Sequence, residues 1–579
     1  MPDTQERADY DADVIIVGAG PIGLTTAAAL RHHGVDCRIL EQRTEEKPYS
    51  RANNVWARPQ ELLDSIGIRD ALAENAYRIR QVNTLLNGQP TDPVKVDHVE
   101  SPYPQVLYSG QDVIEKTLSK AADDRGRPVE RGRKVLGIEQ DGEGVTVTVV
   151  PASDEDGDEQ GPAERLRCRY LIGADGTEGT VRKALDLDFE PKKLKNRMNR
   201  QVDARLHWRR SMEPDQLWFY YYKDGFCGIL PVWGGYHRLF FLADDAGVPD
   251  RDPTLDEMQA IAREVTGDDS LTLSDPIWFS HSRFQHGVAT SYKKDRVLLV
   301  GDAGHYTLPI GGQGMNAGFQ DAVSVAWRLA MTLEGHAASV VLDSYDDERG
   351  GEHIRLDDQQ TRGFKNVVYR GPLTDLALGV AAKALPDIGS RIQGTDDLQQ
   401  LSVSYPKSPL NEDHLSHGQL LHAHVPQAGE RAPNAEVTNE AIGTTNLFAH
   451  IYNPDGRSWG WSLLAFDGRQ GDAGTRLLAA VTEVAAWDWV RPRLVLAALA
   501  PAVEGGFATV LSDLDTHAHS AYGIGEVPAL VLVRPDGVIA FRGEADSPER
   551  LKAYCEKVFG PAPVATEDRG APKAAGSRE

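Results

Sequence analysis

Two glycine-rich clusters carry the residues whose types and spacing could do chemistry. The first is Gly18-Ala19-Gly20-Pro21-Ile22-Gly23, with Glu41 lying 18 residues beyond Gly23. Glycines at its first, third and sixth positions permit a tight turn, close approach of a pyrophosphate to the backbone, and close helix–strand packing. A carboxylate at that distance can accept both hydroxyls of an adenosine ribose. The second cluster is Gly301-Asp302, followed by Pro309, Gly311, Gly312 and Gly314. It gathers backbone N–H groups beside a coming helix, where the partial positive charge suits an anion. Asp302 is placed to accept hydrogen bonds from sugar-like hydroxyls. Between them lies Asp175-Gly176-Thr177-Glu178-Gly179-Thr180-Val181-Arg182. Its Asp and Arg could bridge a cofactor and the protein, or equally serve as a helix cap and a surface ion pair.

Such residues need strands and helices that hold them. Val14–Val17 is a short apolar, β-branched run and reads as a buried strand, Leu24–His32 as an Ala-rich helix ended by Gly34, and Cys37–Leu40 as a second strand. This order supplies the context that turns a lone GxGxxG into a dinucleotide-binding signal. Val297–Val300 is likewise a strand, and a helix is expected from about Met315 to Ala330. Ser50 to Ile68 brings two cations, Arg51 and Arg58, and Pro59 opens a helix with Leu62, Leu63 and Ile66 inward. Gln111 and Glu115 open another helix. Residues 133–150 and 165–173 read as strands, with an acidic, solvated hairpin tip between them.

Residues 186 to 285 change character. QVDARLHWRR, DQLWFYYYKDGFCGILPVWGG and YHRLFFLADD alternate or run in aromatic and β-branched residues, with Asp224-Gly225 and Gly234-Gly235 as turns. This predicts a mostly antiparallel sheet inserted between two parts of the nucleotide-binding domain, a roof for an apolar ligand pocket. Along Trp218–Tyr222 some aromatic side chains face that pocket and the others face away. The expected domains are 1–185 with 286–390, the 186–285 sheet, a small α/β domain over 395–560, and a disordered tail from 561.

Composition narrows the function class. The chain has 579 residues and a net charge of −24, from 62 basic and 86 acidic residues. That speaks against nucleic-acid or anionic-membrane partners. No apolar run approaches the ~18 residues of a membrane span, and the polar, acidic N-terminus does not read as a signal peptide. Cys37, Cys168, Cys227 and Cys555 lie far apart without CxxC or zinc spacing. They read as reduced thiols in a cytoplasmic protein, and no metal is expected.

Taken together, the GAGPIG cluster, the Asp175…Arg182 element and Gly301-Asp302 with its Gly-rich helix entry resemble the single-component FAD-dependent aromatic hydroxylases. LDSYDDER and GERAPN (Gly429–Asn434) extend the likeness over most of the chain, toward the phenol hydroxylase-like branch with a C-terminal thioredoxin-like domain. The resemblance implies a Rossmann-like α/β FAD-binding domain, the inserted β-sheet substrate domain of p-hydroxybenzoate hydroxylase-like enzymes, and a homodimer. It implies tightly bound FAD and transient NAD(P)H, with NADPH favoured.

The resemblance also assigns residues. Gly18, Gly20, Pro21, Ile22, Gly23, Glu41 and Gln42 would hold the ADP half of FAD, with Val135 among the cofactor contacts. Arg51 and Gln111 would meet the phosphate or ribityl region, and Asp302 the ribityl chain. Gly312, Gly314, Met315 and Asn316 would face the flavin pyrimidine edge. Asp175 and Arg182 would serve both FAD and NAD(P)H, and Pro309 would bring a carbonyl near the substrate ring. Oxygen would add at the flavin C4a position to give a hydroperoxide, whose terminal oxygen passes to a phenolic or polycyclic aromatic substrate. Two departures stand out. Many phenol-hydroxylating relatives place an Asp or His where this chain has Asn53, which cannot act as a base near pH 7; Tyr221 or another Tyr or His of the inserted sheet could serve instead. The strand SLLAF is followed by Asp467-Gly468-Arg469-Gln470 rather than CxxC, so the thioredoxin-like domain would do no thiol chemistry. The alternatives are oxygenative rearrangement or Baeyer–Villiger oxidation of a polyketide-like substrate on the same fold, or a flavin-binding protein without turnover.

Overall fold

A computed structural model describes residues 10–46, 52–86, 88–152, 161–189, 191–210, 212–222, 225–243, 249–308, 310–368, 395–415, 425–452, 458–468, 474–497, 507 and 509–563. The chain forms two compact units. The first begins with β1 (Ala12–Val17), α1 (Pro21–His32), β2 (Cys37–Glu41), α2 (Ala57–Ser65), β3 (Gln81–Leu86) and α3 (Gln111–Asp123). It continues through β4 (Arg133–Gln140), β5 (Val145–Pro151), β6 (Glu164–Gly173), α4 (Thr180–Ala184), β7 (Lys192–His207), β8 (Gln216–Tyr222), β9 (Gly225–Val232) and β10 (Tyr236–Ala243). Then come α5 (Leu255–Thr266), β11 (Thr272–Val288), β12 (Val297–Leu299), β13 (His305–Tyr306), α6 (Gln313–Leu333) and α7 (Gly351–Val368).

Two sheets organise this unit. In the first, β2, β1, β6 and β12 run parallel as neighbours, and β5 and β4 continue antiparallel beyond the N-terminal half of β6. Val14, Ile15, Ile16, Leu171, Ile172 and Val297–Val300 are all buried, as expected of parallel strands covered on both faces. Gly23 lets α1 approach the turn after β1 closely, and Gly318 lets α6 approach α1. A Cβ on Gly23 would come within 2.0 Å of the Gly18 carbonyl oxygen, and one on Gly318 within 2.7 Å of Ile22.

The second sheet has the order β13-β11-β7-β10-β9-β8-β3. Its centre is antiparallel, as the alternation in 186–285 predicts, and β3 joins β8 in parallel. Neither β3 nor α5 is expected from the sequence pattern. One face of the sheet carries Tyr220, Cys227, Ile229, Leu239 and Phe241 and packs on Met258 and Ala262 of α5. The other carries Val82, Leu217, Phe219, Leu230 and Phe240 and packs on Trp56, Tyr108 and Leu398.

The second unit is built around β14 (Trp461–Phe466), α8 (Gly474–Val484), β15 (Val490–Leu496), β16 (Thr509–Ser512), β17 (Ala529–Val533), β18 (Ile539–Glu544) and α9 (Pro548–Phe559). β14, β15 and β16 are parallel neighbours, while β17 and β18 continue antiparallel from β14. The buried Trp461, Trp487 and Phe559 fill its core. All four cysteines of the chain are free and buried. The C-terminal part of the expected FAD-binding span, 369–390, and the tail from 564 lie outside the described residues. No helix among those described is long and apolar enough to cross a membrane.

Candidate active site

The three motifs converge because β1, β6 and β12 are adjacent and parallel, so their C-terminal ends share one edge of the sheet. Gly18 follows β1, Asp175 follows β6 and Gly301 follows β12. Such an edge is where open α/β sheets bind ligands. Gly18 has φ of +105°, and a Cβ there would lie 2.4 Å from the Ala174 carbonyl oxygen. Gly20 differs: nothing lies within 4 Å of its Cβ position. It therefore leaves open space at the start of α1, whose first turn has no side-chain cap, and this space suits a pyrophosphate.

Glu41 sits at the end of β2 and is buried. Its Oε2 accepts the Ala19 N–H at 2.8 Å, and its Oε1 accepts the backbone N–H and the Nε of Arg43 at 3.0 and 2.9 Å. Burial alone would raise its pKa; the Arg43 guanidinium and the amides of Arg43 and Ala19 outweigh burial and hold the carboxyl below its ordinary value. It is a fixed anion facing the turn.

Asp175 caps α4, its Oδ2 accepting the Val181 N–H at 3.0 Å, while Oδ1 is buried without a partner. Burial raises its pKa, against the pull of these amides. Arg182 is no surface cation. It is buried, donates to the Ala303 carbonyl at 2.7 Å and lies 4.1 Å over the Phe189 ring. One guanidinium thus ties the β6 turn to the Gly301-Asp302 turn, in which Asp302 itself is exposed.

The Gly-rich entry to α6 is held by Asn316 together with Asn54 and Trp56, which the sequence pattern does not single out. Gly311 and Gly312 have φ of +69° and +62°, and a Cβ on Gly312 would fall 1.9 Å from Asn54 Oδ1. Asn316 accepts the Trp56 N–H at 2.8 Å and donates to the carbonyls of Asn54 and Gly312 at 3.0 and 2.7 Å. Trp56 Nε1 donates to the Gly311 carbonyl at 2.8 Å. Asn316 therefore shapes the loop with its side chain. Gln111 fastens the same neighbourhood, its Oε1 accepting the Ala52 N–H at 3.0 Å and its amide donating to Glu115 at 2.7 Å. Val135 is buried on β4. Arg51 and Pro309 lie outside the described residues.

Beneath the Asp302 turn lies a buried polar cluster. Asp321 Oδ2 accepts the Gly301 N–H at 3.0 Å, and Oδ1 is reached by Arg349 Nε at 2.7 Å and His353 Nε2 at 2.9 Å. His305 Nε2 is 3.3 Å from Oδ2, and the two imidazoles stack at 3.6 Å. Arg349 stands on a π-helical turn, Asp346–Gly350. Burial holds His353 near 3, so the cluster is one carboxylate, one guanidinium and a neutral imidazole at His353. Although three ligand-type atoms lie within 4.8 Å of one another, the Arg349 cation and the Gly301 N–H already occupy both carboxylate oxygens. The set reads as an ion network that fixes the turn. The sequence signal, LDSYDDER, contains Arg349 without showing its partner.

One face of the second sheet carries a cluster of aromatic rings. Phe219 stacks on Phe226 at 5.3 Å, Tyr221 lies 4.8 Å from Phe226, and Phe240 meets Phe226 edge-on at 5.4 Å. Gly228 makes room for them: a Cβ there would lie 2.2 Å from Phe240 Cε1. Phe226 continues into a cluster with Leu242, Phe284 and Leu308, the last residue described before the Gly-rich loop resumes. Trp218, Tyr220 and Tyr222 pack on the opposite face. Asn53 is buried on the segment before α2, with Nδ2 unpartnered.

Comparison with known proteins agrees with this geometry. Residues 11–353 match the family model described as "FAD binding domain". The chain belongs to this family. It is 35% identical over 344 residues to a 12-dehydrotetracycline 5-monooxygenase/anhydrotetracycline 6-monooxygenase of Streptomyces rimosus, a match that covers 58% of this chain and 66% of that enzyme. The chain thus spans just under two thirds of that relative. A rifampicin monooxygenase of Streptomyces venezuelae is 34% identical over 347 residues, covering 58% of this chain and 68% of that one. Among solved structures, the OxyS anhydrotetracycline hydroxylase from Streptomyces rimosus superimposes with a TM-score of 0.69 at 27% identity, covering 95% of this chain and 100% of that one. Family membership carries the FAD-binding fold, and the Gly20 opening, Glu41 and exposed Asp302 fit an ADP-ribityl ligand laid along the strand ends.

Proposed function

We propose that this protein is an FAD-dependent monooxygenase that uses NAD(P)H and O₂ to hydroxylate a phenolic or polycyclic aromatic substrate. The observation that carries the reading is the alignment of three turns on adjacent parallel strand ends beside an aromatic sheet face. Bound FAD, reduced by NAD(P)H, would supply the activated oxygen. In this reading Gly18, Gly20, Pro21, Ile22 and Gly23 receive the pyrophosphate, Glu41 and Gln42 the adenosine end, and Asp302 the ribityl chain. Gln111 is assigned to the phosphate–ribityl side, as is Arg51 by the family resemblance alone, and Val135, Asp175 and Arg182 to the border of the cofactor groove. The amides of Gly312, Gly314, Met315 and Asn316, at the N-terminus of α6, stabilise negative charge on the ring system.

Phe219, Phe226, Phe240 and Tyr221 would form one wall of the aromatic site; Pro309, which lies outside the described residues, and Asn53 are assigned to it by the family resemblance alone. The wall orients a flat ring and excludes water, both needed for oxygen transfer over loss as H₂O₂. Asn53 can donate a hydrogen bond to a substrate oxygen, and its amide cannot take a proton. The second unit is read as the thioredoxin-like domain without CxxC, and the whole as a cytoplasmic homodimer. The names of the relatives support a polycyclic substrate.

The test is NAD(P)H oxidation by FAD-loaded protein against a panel of phenols and hydroxylated polycycles, with H₂O₂ and product measured together. A product 16 mass units heavier with little H₂O₂ is expected. Absence of flavin binding overturns the reading, and H₂O₂ as the sole product with every compound removes its hydroxylase part.

A further inference from the structure

Phe284 on β11 packs with Phe226, Leu242 and Leu308. Side chains two apart on a strand share a face, so His286 extends the same face by one position. It is buried, and its Nδ1 lies 2.6 Å from Oδ1 of Asp357 on α7. With Nδ1–H donating to that carboxylate, the lone pair stands on Nε2. Nε2 makes no hydrogen bond among the described residues.

One turn along α7, Gln360 and Thr361 share the face of Asp357. Gln360 is only 7% exposed, yet among the described residues neither its amide nitrogen nor its amide oxygen has a partner, and Thr361 Oγ1 has none. An unpartnered buried amide is costly, and a ligand offering both a donor and an acceptor would offset that cost. The position suits the aromatic site. Gln359, the neighbouring residue, donates to Asp397 at 3.3 Å, and Leu398 accepts a hydrogen bond from Gln313 at 2.8 Å, at the Gly-rich loop.

We propose that His286 and Gln360 form a polar subsite for a hydroxylated polycyclic aromatic, with His286 Nε2 as proton acceptor for a ring hydroxyl and Gln360 holding an adjacent oxygen. This deepens the monooxygenase reading and rests on it. The step is a proton transfer without change of oxidation state. The substrate O–H bond breaks, an N–H bond forms at Nε2, and the oxygen keeps the electron pair as a phenolate. Asp357 stabilises the imidazolium. His286 supplies the base that Asn53 cannot be, and the resulting phenolate pushes electron density into the ring that takes up oxygen. Titratable or charged groups on elements packed against His286 include Glu352, His353, Arg355, Asp358 and Arg362 on α7, Lys192 across on β7, His305 and Tyr306 on β13, and His281 and Arg283 on its own strand.

The test titrates FAD-loaded protein with two probes, 4-nitrophenol and 1,8-dihydroxyanthraquinone, and follows probe ionisation by absorbance over pH. Wild type is expected to ionise both bound probes at lower pH than free solution. H286N should abolish that shift and lower the hydroxylation rate roughly 10²-fold, with flavin binding and melting temperature retained. D357N should lower kcat with little change in KM, and Q360L should weaken the anthraquinone about tenfold while leaving nitrophenol unchanged. Should H286N fail to fold, D357N and Q360L decide between the same two outcomes. Coincident ionisation curves for wild type and the His286 or Asp357 variant, or wild type binding neither probe, overturn the subsite. Hydroxylation by wild type with these curves coincident leaves the monooxygenase reading standing. Probe ionisation without any hydroxylation overturns that reading and keeps the subsite.

Discussion

Arg349 and Asp321 meet at 2.7 Å in the floor of the Asp302 turn, with neither side chain exposed. Asp321 spends its other oxygen on the Gly301 N–H at 3.0 Å, so one carboxylate joins the π-helical turn of Arg349 to the turn that displays Asp302. Removing its charge strands a buried guanidinium, which costs about 3–5 kcal/mol when one partner of such a pair is lost. D321N is therefore expected to lower the melting temperature of the first unit and to weaken FAD binding at least tenfold. Thermal melts and flavin fluorescence titration check both. Flavin affinity unchanged in a folded D321N would detach the network from the cofactor.

Gly18 and Gly20 separate folding from binding within one motif. G18V forces a Cβ against the Ala174 carbonyl and a φ of +105° on a β-branched residue, so it should destabilise the unit itself. A Cβ at Gly20 meets nothing within 4 Å among the described residues, and the position has an ordinary φ of −76°. The expected outcome of G20V is a normal apo melting temperature with flavin affinity lost by more than a hundredfold. Normal flavin binding by G20V would mean that the pyrophosphate does not lie there.

Gly228 sets the shape of the aromatic wall. In G228A the new methyl must displace the Phe240 ring, which stands 2.2 Å from its position, and crowd Phe219 at 3.0 Å. Overpacking of this kind typically costs about 1–3 kcal/mol. Folded G228A should raise KM for the preferred aromatic substrate several-fold and release more H₂O₂ per NAD(P)H consumed. Identical coupling across the substrate panel would place the reacting ring away from this wall.

How much of this is legible in the sequence depends on the range of the signal. Gly18–Gly23, Glu41, Asp302 and the strands around them follow from local patterning, because turn chemistry and strand burial are written in consecutive residues. The aromatic alternation over 216–243 likewise points to the sheet. The pairs Asp321–Arg349 and His286–Asp357 are not legible, since their partners are 28 and 71 residues apart and no periodicity links them. Arg182 is open between two readings in the sequence, and only its burial against the Ala303 carbonyl decides that it holds two turns together. β3 escapes notice because its parallel partner, β8, lies in the inserted segment.

His519 gives the second unit a pH-dependent contact. Its Nδ1 lies 2.7 Å from Asp513 and its Nε2 3.1 Å from Asp467, in the unit's interior. Burial pulls its pKa down, but the two carboxylates prevail and raise it above 6.5. Asp513 is shifted the other way: burial would raise it, and the His519 ring and the amides of His519 and Ala518 hold it below 3.8. For a raised His, the stability gained is complete below the unfolded value and is lost as pH rises through the folded one. For a depressed Asp, it is present above the unfolded value and lost as pH falls through the folded one. The contact should therefore contribute most between about 3.8 and 6.5, the two unfolded values. The melting transition of the second unit is expected to fall from pH 6 to pH 9, and H519Q to lie roughly 1.5–3 kcal/mol lower at pH 6 with most of that slope gone. Calorimetry of the full chain at both pH values reads it. A wild-type transition that rises from pH 6 to pH 9 would mean that His519 folds neutral, with burial prevailing over its two carboxylates.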